Sequence, residues 1–343
     1  MLKRSFWFGL LICSSFAQVA YPRMHTAICR AQRDKEVISK KNKLTLGELL
    51  FELDAAQNEQ KMNEVERLCK VIAKEYPNSD AAAESYFLRG LLYESDRKFN
   101  SAIDMFTKIV KQYPDSLWFS YSVEKCFLIA EQLQNGIRPK YFGVIPGFKD
   151  YNSAVQNYEL VVRYAPYSRY APHALIEIAN LHVKMKNYDQ AVEALDRIID
   201  LYPDSVEVAE AYLKTAEIYA KMVKSEEHNQ GGALAARRYY KEFIDIFPQH
   251  EHVEFARQKI LDLDNSVVES KISLGDFYFN ARYNECAAKK MYQMAIDFAP
   301  YVSAADTARQ RITDIDNGML PKSTPIDFLF PKYHPTSDKC DTK

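Results

Sequence analysis

The chain has 343 residues, 47% of them hydrophobic, which is enough to bury a sizeable core. Lys and Arg number 45 against 46 Asp and Glu, for a net charge of -1, so the basic excess of a nucleic-acid binder is missing. Glycines number only 10 and form no phosphate-cradling run, while 23 tyrosines and 19 phenylalanines suit helices packed through large side chains.

The first 17 residues read as a leader. Lys3 and Arg4 precede a short apolar run from Phe6 to Cys13, and Ser15-Phe16-Ala17 offers small residues for cleavage after Ala17. This is the pattern of an export signal, too short for a stable membrane span. No other stretch is long and apolar enough to cross a bilayer, so the mature chain is expected outside the cytoplasm of a bacterium. Residues 18–43 form an N-terminal linker. Six cysteines occur, at 13, 29, 69, 126, 286 and 340, with no C-x-x-C pair and no zinc spacing. Cys69 and Cys126 stand among helical apolar residues and are expected to be small core side chains.

From residue 44 the chain becomes repetitive. "EYPNS" at 75–79 returns as "QYPDS" at 112–116, "YAPYS" at 164–168 and "LYPDS" at 201–205. Proline cannot continue a helix, and serine two residues later suits a helix N-cap, so each copy reads as the end of one helix and the start of the next. The prolines ending the aromatic-rich segments are Pro77, Pro114, Pro166, Pro203, Pro248 and Pro300, at spacings of 37, 52, 37, 45 and 52. A unit of this length with inserted loops predicts stacked helical hairpins.

Within a unit, Gly90 and Ala102 are twelve apart and Pro114 follows twelve later; Ala179, Ala191 and Pro203 repeat those intervals. Small residues there let two helices cross closely, and the polar breaks "SDRKFN" and "MKNYDQ" suit the turn between them. The pattern holds at 80–114 and 169–203. It continues at 206–248 through Ala216 and Ala236, and at 44–77 with Leu53 and Val65 in the small positions. At 117–166 Ala154 fits, but the insertion 135–152 interrupts the hairpin. At 251–300 a long helix precedes the last hairpin, with Gly275 and Ala287 twelve apart. After 315 a Pro-rich tail, 316–343, carries Phe328, Phe330 and Tyr333.

These intervals resemble the tetratricopeptide repeat. The expected fold is all-α, a tetratricopeptide-repeat helical solenoid over 44–315: a right-handed superhelix of five to six hairpins and roughly ten to twelve helices. The layout of leader, repeats, aromatic-Pro-x-Ser punctuation and the closing "SLGDFYFNARYNECAAKKMYQMAIDFAP" is similar to the BamD, or ComL-type, outer-membrane assembly lipoproteins. That resemblance covers about 40–315. It implies a non-enzymatic scaffold on the periplasmic side of the outer membrane. The implied partners are a β-barrel assembly subunit and unfolded outer-membrane proteins. It also implies a lipid anchor on Cys13, although Ile12 stands where that family has a small residue. Acylation of Cys13 and plain cleavage after Ala17 both remain open, and the second favours a soluble periplasmic adaptor in cell-envelope or division coordination.

No catalytic, cofactor or metal constellation is expected from the motifs. His250-Glu251-His252 is a polar turn in the place of a cap serine, and His182 takes a packing position held by tyrosine in sister repeats. The first helix of each hairpin is expected to line a peptide groove through Glu84, Phe87, Leu91 and Glu94, and again through His173, Ile176, Asn180 and Val183. Packing against neighbouring repeats accounts for the apolar members of that set equally well. The insertion offers Arg138, Lys140, Tyr141, Phe142 and Phe148 as a partner-binding loop, or as a loop folded down on the repeats.

Overall fold

The structure, a computed structural model, describes residues 44–138, 140–141, 145–146, 151–225 and 230–321. The leader, the 18–43 linker, Cys13, Phe142, Phe148 and the tail from 322 lie outside the described residues. Thirteen helices occur among those described: α1 (Leu46–Asn58), α2 (Met62–Glu75), α3 (Asp80–Ser95), α4 (Phe99–Gln112), α5 (Trp118–Gln134), α6 (Tyr151–Tyr164), α7 (Tyr170–Lys184), α8 (Tyr188–Leu201), α9 (Glu207–Ser225), α10 (Gln230–Ile246), α11 (Val253–Arg282), α12 (Glu285–Phe298) and α13 (Ser303–Asp316). Inside the insertion, Lys140–Tyr141 and Ile145–Pro146 form a two-residue antiparallel ribbon, with Lys140 opposite Pro146.

The chain divides into two units, residues 1–171 and 172–343. In the first, α1 to α5 each pack on the next helix in sequence, and α3 also meets α5. In the second, α8 packs on α9 and the sequence continues helix on helix to α13, which also meets α11.

One turn is repeated six times. The amide of residue 79, 116, 168, 205, 250 or 302 donates to the carbonyl three residues earlier, at 2.9–3.4 Å, with proline at the second turn position. This is the β-turn position that proline's fixed φ favours. The serine plays two different roles in it. Ser79 caps α3 with its side chain, accepting from the Ala82 amide at 3.2 Å. Ser168 and Ser205 have no hydrogen-bond partner at Oγ. In those copies a further turn follows, closed by Ala171 or Val208 donating to the serine carbonyl, and the helix starts one residue later than a serine cap would place it.

The turns inside the hairpins are also alike. Gln60, Arg97 and Lys186 take the left-handed conformation at φ 58°, 58° and 63°, and Gly136 does so at 84°. Each closes a Schellman pair, such as Lys98 to the Tyr93 carbonyl at 2.8 Å and Arg97 to that of Glu94 at 2.9 Å. The last hairpin differs. Tyr283 is left-handed at φ 54°, and both its amide and that of Asn284 bond the Tyr278 carbonyl. The wider turn adds one residue, so Ala288, fully buried, takes the small position expected of Ala287, whose amide instead donates to the Asn284 cap at 2.9 Å.

The small positions work as expected where a ring faces them. A Cβ on Gly90 would stand 2.5 Å from the Phe106 ring, and one on Gly275 equally close to Tyr292. In the interrupted hairpin Phe127 meets Tyr158 edge-on, with ring centroids 5.3 Å apart, so both sides are large.

Candidate functional site

In the first unit, Phe87 is fully buried. Its ring lies against Trp118 (4.7 Å), Phe106 (5.5 Å) and Tyr121 (6.3 Å). It is core between α3, α4 and α5 and lines no groove, because α3 buries more than one stripe. Around it, Glu84, Leu91 and Glu94 are half-buried. Burial, with Asp54 of α1 as a second cause, pushes the Glu84 carboxyl up to about 7. Glu94 reaches across to α5, pairing with Lys125 Nζ at 3.1 Å and accepting from Gln132 Nε2 at 3.4 Å.

The second unit repeats that bridging. Ile176 is buried and, like Phe87, is a packing residue. Asn180 donates to Glu177 at 3.2 Å and accepts from Lys214 Nζ of α9 at 2.9 Å. His173 is exposed and Val183 half-buried. Lys125 and Lys214 both stand eleven residues after a punctuating proline, so one repeat position ties first helices together in both units. Of the insertion residues, Arg138 is exposed, and Lys140 and Tyr141 stand in the ribbon.

Sequence reasoning missed one concavity. Glu210, Leu213, Lys214 and Glu217 of α9 face His250, His252 and Phe255 at the start of α11, around a cleft of about 400 Å³. Glu210 holds Lys214 at 3.3 Å, leaving Glu217 as a second carboxylate on the same helix face. His250 packs its ring on Phe243 (5.2 Å) and accepts from the His252 amide at 3.2 Å, so the His-Glu-His stretch is built as a turn. Phe255 is partly exposed and Leu213 forms an apolar wall. Among the described residues, no three His, Cys, Asp or Glu side chains are grouped to hold a metal. The sequence signal was available in the i, i+3, i+4, i+7 run of Glu210, Leu213, Lys214 and Glu217, but it reads equally as a solvated helix face.

Cys69 and Cys126 are free, and burial pushes both thiols up to about 12, which makes them inert core groups. Cys286 is disulfide-bonded, which its spacing in the sequence did not indicate. No helix among the described residues is long and apolar enough to cross a membrane.

The stacked hairpins, together with a match to the tetratricopeptide repeat family over residues 84–116, define a tetratricopeptide-repeat protein. A second family model, described as outer membrane lipoprotein, matches residues 148–316. Two curated relatives are both outer membrane protein assembly factors BamD. The one from Rickettsia prowazekii is 23% identical over 43% of this chain, and the one from Caulobacter vibrioides is 23% identical over 38%. The chain is similar to these assembly factors over part of its length. The matched stretches span 59% and 42% of those relatives' own lengths. Among solved structures, the MamA protein is similar over 71% of this chain and 98% of its own, at 17% identity and a TM-score of 0.32.

Proposed function

We propose that this protein is a non-enzymatic scaffold of outer-membrane β-barrel assembly. It works at the periplasmic face of the outer membrane and binds a barrel-assembly subunit and unfolded outer-membrane proteins. The observation that carries this is the match to outer membrane lipoproteins over 148–316, the stretch that holds the α9–α11 cleft. The cleft suits an extended peptide: Leu213 and Phe255 take an apolar side chain, while Glu210, Glu217 and Lys214 take polar groups beside it. The disulfide at Cys286 supports an oxidising compartment such as the periplasm.

A photo-crosslinking residue in place of the partly exposed Phe255 tests this in growing cells. Adducts with outer-membrane β-barrel precursors or with a membrane-embedded barrel subunit are expected, and their yield falls in Glu217→Arg. Adducts with soluble envelope proteins alone would favour the second reading, a soluble periplasmic adaptor. That reading draws on Ile12, which is bulky where an acylation site has a small residue. Palmitate-analogue labelling, lost in Cys13→Ala, separates the two independently of the cleft.

A further inference from the structure

The α9–α11 cleft lies wholly within the second unit, and its charges do not cancel. Its lining carries two carboxylates, Glu210 and Glu217, against one lysine, Lys214. That lysine is already engaged on both sides. Glu210 pairs with Lys214 Nζ at 3.3 Å, and Asn180 of α7 accepts from it at 2.9 Å. Glu217 is exposed, with no ion pair to it among the described residues.

Two neighbours that could answer Glu217 do not. Lys221, one turn further along α9, holds its ammonium 5.7 Å from the Tyr188 ring centroid. Tyr240 of α10 is buried with no hydrogen-bond partner at its hydroxyl. Burial first and the Glu217 charge second push that phenol up, so it stays neutral and gives Glu217 no hydrogen bond.

The apolar half of the cleft sits one turn away. Leu213 precedes Glu217 by four residues, about 6 Å along the helix axis. Side chains two residues apart on an extended chain point to one side, about 6.5–7 Å apart. An extended peptide running along α9 therefore sets one side chain on Leu213 and Phe255, and the next but one on Glu217. The Phe255 ring already takes a cation beside it, since Lys259 Nζ stands 5.4 Å from its centroid.

We propose that the cleft selects an extended peptide with Arg or Lys two residues from an aromatic or aliphatic side chain. The cation meets Glu217, and the apolar group fills the space between Leu213 and Phe255. This rests on the reading of the cleft as a peptide site and adds the sequence it reads. A neutral residue in place of the cation leaves the Glu217 carboxylate unanswered, and an acidic one is repelled by it.

Fluorescence anisotropy on the full chain tests this with a short labelled peptide that carries Phe and, two residues on, Arg. Matched peptides have Gln or Glu in place of the Arg. The Arg peptide is expected to bind about fivefold or more tightly than the Gln peptide. That preference is expected to vanish in Glu217→Gln and to reverse toward the Glu peptide in Glu217→Lys. Glu217 is exposed, so neither change disturbs the core, and helical circular dichroism checks the fold. Moving the Arg next to the Phe points the two to opposite sides and is expected to remove the preference. Equal affinity for all three peptides, with crosslinking retained at position 255, would overturn the charge selection and leave the peptide site standing. An Arg preference that survives Glu217→Gln would also overturn it. Failure of every peptide to bind or crosslink would overturn both the selection and the peptide site.

Discussion

Glu84 is a carboxyl placed where it is costly to ionise. Its pKa of about 7, against an ordinary 4.5, comes first from burial and then from Asp54. Between pH 4.5 and 7 the folded chain holds a proton that the unfolded chain has released, so stability falls as pH rises through that window and levels off above it. Replacing Glu84 by Gln removes the charge and keeps the shape. Thermal unfolding at pH 5 and pH 8 is expected to show little change at the lower pH and a gain of about 1–3 kcal/mol at the higher one. A variant that loses stability at pH 8 would mean that the carboxylate has an ionic partner in the folded state. The sequence marked Glu84, but not its environment. Glu84, Phe87, Leu91 and Glu94 share one helical face, and periodicity alone does not say how far that face turns into the neighbouring helix. Phe87 turns in completely and Glu94 finds Lys125 at the rim.

At the scale of the elements, the long helix α11 is held by a buried charge. Asp264 is wholly buried, pairs with Arg237 Nε of α10 at 2.5 Å, and accepts from the Tyr301 hydroxyl in the turn before α13. Asp264→Ala leaves Arg237 without its counter-charge in a largely dry site and is expected to cost about 3 kcal/mol. The paired change Asp264→Leu with Arg237→Met is expected to restore most of that, read by urea denaturation followed by helical circular dichroism. If the double variant were no better than the single one, the hydroxyl of Tyr301 rather than the ion pair would be the dominant tie. The hairpins themselves were legible from sequence because proline cannot continue a helix past its first turn, and the same Pro turn recurs six times. The register of the last hairpin was not legible. It depends on Tyr283 adopting a left-handed backbone, which no residue type announces except glycine or asparagine, and that single extra residue moves the buried small side chain from Ala287 to Ala288. The Asp264 clasp was also hidden, since Arg237, Asp264 and Tyr301 are brought together only when α10, α11 and the turn before α13 close on one another.

For the whole molecule, the packing of helices on their sequence neighbours within each unit means that stability is distributed hairpin by hairpin, as a sum of local and nearest-neighbour terms. Gly90 and Gly275 test this, because each admits a buried ring at a distance no Cβ tolerates: Phe106 in one hairpin and Tyr292 in the other. Both rings are fully buried and have no open space to swing into. Gly90→Ala and Gly275→Ala are each expected to cost about 1–3 kcal/mol by overpacking. Native-state hydrogen exchange reads where that cost falls. Gly90→Ala is expected to speed exchange in α3 and α4 by about tenfold or more while leaving α11 and α12 at their wild-type rates, and Gly275→Ala to do the reverse. Uniform acceleration across all helices in both variants would mean that the chain unfolds as one cooperative body. In that case a ligand seated on any one hairpin would stabilise all of them. If the effects stay local, a peptide in the α9–α11 cleft would protect α9 to α11 and leave α1 to α4 unchanged, so the pattern of protection would itself map the binding surface.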